Sequence, residues 1–223
     1  LFVPISWKRV HAMMRTLKWI ALGAAALFAL LAAIVIFRTM NYGGAPIGQR
    51  VTLPAPPSVS ADTAAQHLSQ AIQFKTVTLV SGDPRPGQDG EWLKLHDWLA
   101  ATYPAAHGAM TREFVPGTLT LLYTWKGSDS ALKPLLLMAH QDVVPVNMGT
   151  EKDWQGAPFA GEIKDGFIYG RGAIDDKGSL VALMEAAEAL AKSGFKPNRT
   201  MYFLFGHDEE VSGSGAEKGV ALL

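Results

Sequence analysis

LLLMAHQDVVPV (Leu135–Val146), YGRGAIDDKGS (Tyr169–Ser179) and FLFGHDEEVSGSG (Phe203–Gly215) share one pattern: an apolar run that ends in a histidine, a pair of acids or both. Open α/β sheets present their chemistry in this way, at the carboxyl ends of strands. Between the second and third stretches, Asp176 to Lys192 carries Leu180, Leu183, Met184, Ala187 and Leu190 at helical spacing, and Ser193-Gly194 with Pro197 stops it. Thr200 to Phe205 then reads as a buried strand. Strand, helix and strand in succession make a crossover unit, so the sheet has parallel members. Leu135 to Ala139, apolar without interruption, reads as a central strand buried on both faces. The fold class is α/β, with a mixed, partly parallel sheet flanked by helices.

Working outward, Glu162-Ile163-Lys164 and Phe167-Ile168-Tyr169 flank a turn at Asp165-Gly166 and predict a hairpin. Strand character begins near Arg112, and Thr118 to Trp125 alternates. A helix over about Glu91 to Tyr103 sets Trp92, Leu95, Trp98 and Leu99 on one face, and Pro104 closes it. Ser81 to Asp89 is a Gly- and Pro-rich loop, and Ser60-Ala61-Asp62 offers cap chemistry to a helix that turns Ala64, Leu68, Ala71 and Ile72 inward. Asn41 to Ser60 reads as an extended linker. Trp19 to Phe37 holds nineteen uncharged residues behind Lys8, Arg9, Arg15 and Lys18. A helix of that length spans roughly 28 Å, close to a bilayer core.

The apolar segment therefore predicts one transmembrane helix, with the basic end inside and the remainder outside. A cleaved signal peptide and a buried core helix are the alternatives; Arg38 to Tyr42 lacks a good cleavage site. Met14 also resembles a natural start, which would make the residues before it an over-extended reading frame. The expected organisation is an N-terminal tail and anchor over 1–40, a linker over 41–60 and an α/β domain over 61–223. Lys+Arg and Asp+Glu both number 20, so overall charge points to no nucleic-acid partner. The chain has no cysteine, so thiolate catalysis and Cys-ligated metal are excluded and a metal must be held by His, Asp and Glu.

His140 and Asp142, two apart in extended backbone, project to the same side, and a carboxylate that holds one ring nitrogen orients a ligand histidine. Asp175 has two oxygens and can bridge two cations; either it or Asp176 is equally suited to cap the following helix. Asp208-Glu209-Glu210 repel one another unless a cation neutralises them, which lets Glu210 coordinate metal while Glu209 takes a proton from water. Taken singly, each group also has a plain reading as a solvated histidine, a helix cap or an acidic loop.

Together these residues resemble a metallopeptidase family that includes glutamate carboxypeptidase, aminoacylase, acetylornithine deacetylase and carboxypeptidase S. The likeness rests on His140 to Pro145, Trp154 with Pro158-Phe159, Gly166, Gly170 to Gly178 and Gly206 to Glu210. Many relatives carry Met where Asp176 stands. Gln141, Asp176 and Gly206-His207-Asp208 are more similar to the carboxypeptidase S branch, which includes secreted N-acyl-amino-acid hydrolases and often carries an N-terminal hydrophobic segment. The resemblance implies two zinc ions, with His140 on one, Glu210 on the other and Asp175 bridging. It also implies Asp142 supporting His140, Glu209 as general base, and a cis peptide between Asp175 and Asp176. The implied reaction is amide hydrolysis of short peptides or N-acyl amino acids. Relatives continue past Leu223 with further ligands and a lid domain that can mediate dimer formation, so the chain is expected to be an inactive N-terminal fragment. A cytosolic-type deacylase and a non-catalytic anchored module are the competing readings. His67, His96 and His107 are expected to be surface or packing histidines without acidic partners, and His207 a supporting residue.

Overall fold

The computed structural model describes residues 7–43 and 55–223, which fall into two compact units, Leu1–Pro54 and Ala55–Leu223. In the first, α1 runs over Trp7–Met40, and its stretch His11–Met40 is long and apolar enough to cross a membrane, with none of it buried. The helix extends upstream of Met14 without a break. Most of the expected linker, residues 44–54, lies outside the described residues, as do residues 1–6.

The second unit is built on a four-stranded sheet of order β1-β2-β6-β3, from β1 (Thr111–Phe114), β2 (Leu121–Trp125), β3 (Leu135–His140) and β6 (Met201–Gly206). β1, β2 and β6 run antiparallel in turn, while β3 lies parallel to β6, from Leu135 opposite Met201 to His140 opposite Gly206. The connection between the parallel pair contains the hairpin β4 (Glu162–Lys164) and β5 (Phe167–Tyr169), then α5 (Lys177–Lys192). This is the expected crossover, and it brings the carboxyl ends of β3 and β6 side by side.

Alternation along the strands separates two faces. Leu121, Tyr123, Trp125, Phe203, Phe205 and Ala139 join Leu180, Val181, Met184 and Ala187 of α5 in the main core. Leu95 and Leu99 of α3 (Gly90–Thr102), Ala71 of α2 (Ala61–Gln73) and Ala106 of α4 (Pro104–Ala109) complete it. On the opposite face Val115, Leu122 and Leu204 form a small cluster. There α6 (Gly215–Val220) approaches closely enough that a Cβ on Gly219 would meet Leu204 at 2.5 Å.

Caps decide several boundaries. The Ser60 hydroxyl accepts from Thr63 N and starts α2 as expected. Pro104 ends α3 but also occupies the first turn of α4, where its missing N–H has no partner to lose, so a second helix follows that the apolar spacing did not predict. Lys177 is fully buried, and its Nζ donates to Ala71 O at 2.9 Å and to Phe74 O, closing the carboxyl end of α2. One expectation about the sheet is corrected: β3 is an edge strand among the described residues. Leu135 and Met138 are 41% and 47% exposed. A continuous apolar run reports that a strand can be covered on both faces; it does not say which strand pairs along its edge.

Candidate metal centre

His140 ends β3, and its ring is held by its own chain: Nδ1 donates to Asp142 O at 3.0 Å, so Nε2 is the nitrogen left facing Asp175 Oδ1, 2.9 Å away. The Asp142 carboxylate lies 3.4 Å from Nδ1 and has other work. It is fully buried and accepts from Thr78 Oγ1 at 2.8 Å, Glu209 N at 3.0 Å and Glu210 N at 3.1 Å. Asp142 thus faces the His140 ring with both its backbone carbonyl and its carboxylate. Its side chain also ties the end of β3 to the Glu209–Val211 turn after β6. Burial alone would raise the Asp142 carboxyl; the bonds from His140, Thr78 and the Glu210 and Glu209 amides outweigh it and hold the group below the usual carboxylate range.

Asp175 sits in the loop between β5 and α5, and its peptide to Asp176 is cis. Neither aspartate caps α5 through its side chain. Asp176 stands at the N-cap position without a side-chain cap, and its Oδ2 accepts from His140 N at 3.3 Å. The local competition between capping and site building is thus decided towards the strand end. Glu209 Oε2 lies 3.8 Å from His140 Nε2. One ligand atom from each of His140, Asp175 and Glu210 falls within 4.8 Å of the others.

The electrostatics fit a divalent cation. Among the described residues, the His140 ring is the one cationic group within salt-bridge reach of Asp142, Asp175 and Glu209, and Glu210 has none. Burial raises the Glu210 carboxyl, and the charge of Asp175 adds to the rise. Burial would depress His140, but Asp142 and then Asp175 outweigh it and raise it to about 9. An imidazole nitrogen with neighbouring carboxylate oxygens is the donor set that zinc and similar ions take, and lone carboxylates this close favour a cation between them. Beside Asp175 a cavity of about 350 Å³ opens, lined by Trp154, Ile168, Tyr169, Arg171 and Ile174 among others, with the Arg171 guanidinium 5.1 Å above the Trp154 ring.

Several contributors escaped the sequence reading. Thr78 reaches Asp142 through an isolated parallel bridge, Val77 to Val143, which nothing in local periodicity announces. His67 does have an acidic partner, because its Nδ1 bonds Glu185 on α5. His207 bonds Thr120 Oγ1 at 2.9 Å and lies 3.3 Å from Asp208, a supporting position as expected.

A parallel strand pair with His, Asp and Glu gathered near its carboxyl ends defines an α/β domain with a group of side chains that could hold a divalent metal ion. Residues 136–222 match the model of Peptidase family M20/M25/M40, whose members bind divalent metal ions, and the chain belongs to that family. It is 44% identical over 150 residues to the probable carboxypeptidase S-like 2 of Dictyostelium discoideum, covering 67% of this chain and 28% of that protein. It is 45% identical over 159 residues to carboxypeptidase S of Saccharomyces cerevisiae, covering 69% and 27%. With the human N-fatty-acyl-amino acid synthase/hydrolase PM20D1 it shares 40% over 157 residues, covering 70% and 30%. The chain thus spans under a third of the length of these relatives. The fold also matches human carnosine dipeptidase 1 (24% identity, TM-score 0.57, 71% of this chain and 34% of that one). It matches the M20 family metallo-carboxypeptidase Sso-CP2 of Sulfolobus solfataricus as well (25%, TM-score 0.52, 66% and 31%).

Proposed function

We propose that the protein of which this chain forms part hydrolyses amide bonds of short peptides or N-acyl amino acids with two zinc ions, and that α1 anchors it with the α/β domain outside the cytoplasm. The observation that carries the reading is the 4.8 Å convergence of His140, Asp175 and Glu210 from three separate segments. His140 and Glu210 would each hold one ion and Asp175 would bridge them. The ions would supply Lewis acidity to the amide carbonyl and lower the pKa of water.

The chain's own residues divide the remaining work. Glu209 is half exposed beside the cluster, with its amide fixed on Asp142, which supports a role for its carboxylate in taking a proton from water and returning it to the leaving nitrogen. Asp142 holds the amides of Glu209 and Glu210 and the ring of His140 in one register. The apolar side of the cavity beside Asp175 suits an acyl or side-chain group of the substrate. The names of the yeast and human relatives favour this substrate class.

The test measures zinc content and hydrolysis in the complete protein. Glu209→Gln is expected to keep its zinc and lose about 10²- to 10⁴-fold in turnover, the usual contribution of a general base, whereas His140→Ala is expected to lose zinc. Full activity in Glu209→Gln would remove that residue from the role of base.

A further inference from the structure

Gln141 stands between two residues of the metal centre, and alternation turns its side chain to the opposite face, towards the helices. It is fully buried, and each of its N–H donors has a partner. Its Nε2 donates to Phe205 O at 2.7 Å and Leu119 O at 3.1 Å, its N donates to Gly206 O at 2.7 Å, and its O accepts from Thr76 Oγ1 at 2.6 Å. Two carbonyls at one end of the amide can be met only by the NH2 group, so Oε1 faces the ring of His96, 2.5 Å away. His96 Nε2 must then carry the proton. That leaves His96 Nδ1 as a buried acceptor without a partner among the described residues. The ring is 2% exposed on α3 and packs near Phe114, centroids 5.4 Å apart.

A histidine kept in one tautomer with its second nitrogen unmatched is a poor choice for packing alone. It does place a donor where Gln141 needs one. We infer that His96 and Gln141 form a positioning pair, which fixes the peptide planes at the end of β3 and thereby the direction in which His140 and Asp142 leave the strand. His96 and Gln141 touch no reacting group; they act through the two residues that flank Gln141. The inference rests on the metal-centre reading for its functional consequence, while the geometry it claims for His140 can be tested without metal.

The experiment uses the full chain in detergent micelles, with two readouts. In the metal-free protein, the slowly exchanging His140 Nδ1 proton bonded to the Asp142 carbonyl is observed by 15N-edited NMR. Co2+ affinity and the Co2+ d–d absorption band are then measured. His96→Phe is expected to lose the His140 resonance, to weaken Co2+ binding about tenfold, at the low end of outer-shell effects, and to change the absorption band. His96→Gln, which can still donate to Gln141 Oε1, is expected to stay within about twofold of wild type on the same scale. Gln141→Glu, which cannot donate to either carbonyl, serves where His96→Phe does not fold and is expected to behave as that variant does. Tyr103→Phe removes a hydrogen bond to Glu185 away from the centre and is expected to lower stability while leaving both readouts unchanged. A folded His96→Phe or Gln141→Glu with the wild-type His140 resonance overturns the inference. Loss of that resonance in a protein whose wild type binds no Co2+ keeps the positioning pair and sinks the metal reading instead.

Discussion

At His96 the balance of burial and hydrogen bonding sets a titration. Burial pushes its pKa down from 6.5 to about 4, against the opposing pull of the Gln141 bond. The unfolded chain therefore takes up this proton first as pH falls. The contribution is complete above about pH 6.5, declines between 6.5 and 4 and is flat below, amounting to about 3 kcal/mol at 1.36 kcal/mol per unit. Urea unfolding of wild type and His96→Gln at pH 7.5 and 4.5 is expected to show the stability difference between them shrinking by most of that amount; an unchanged difference would contradict it. His140, Asp175 and Glu210, which the fold brings within 4.8 Å of one another, stood out in the sequence because each closes or follows a largely apolar run. His96 was legible only as a packing histidine, since its partner is 45 residues away and on another element.

The loop from Gly170 to Asp176 and the edge strand β3 are the elements that most constrain the site. Gly172 has φ +84°, and a Cβ there would come within 2.6 Å of Val143 Cγ1, the bridge partner of Val77 that directly follows Asp142. Gly172→Ala is expected to destabilise the domain by about 1–3 kcal/mol, the range for a residue forced into a sparsely populated backbone region, read as a lowered midpoint in thermal unfolding. β3 presents an unpaired edge among the described residues with Met138 and Leu135 exposed. Apolar edges of this kind template association. Met138→Lys is accordingly expected to shift residues 55–223 towards monomer in sedimentation velocity, without altering their far-UV spectrum.

For the molecule as a whole, α1 is an unburied apolar helix whose candidate span of 30 residues measures about 45 Å, longer than a bilayer core of about 30 Å and so able to cross it with tilt. The chain is expected to remain with membranes through alkaline carbonate extraction, and residues 55–223 to be released. The absence of cysteine makes sidedness directly measurable. A single Ser128→Cys is expected to react with a membrane-impermeant maleimide on intact cells. N-terminal sequencing of the mature protein separates an anchor from a cleaved signal sequence.

Local order in the sequence determined most of the strands and helices, that the sheet has parallel members, and which acids and histidine follow its apolar runs, because side-chain period and capping chemistry act over a few residues. Tertiary structure alone decided that β3 pairs with β6 and lies at the sheet edge among the described residues, that Asp176 turns to His140 N instead of capping α5, that Thr78 and the Glu209 and Glu210 amides converge on Asp142, and that His96 locks Gln141. Each of these is a contest between partners far apart in the chain. Such contests are settled by which donors and acceptors burial brings together, and that is information no window of neighbouring residues contains.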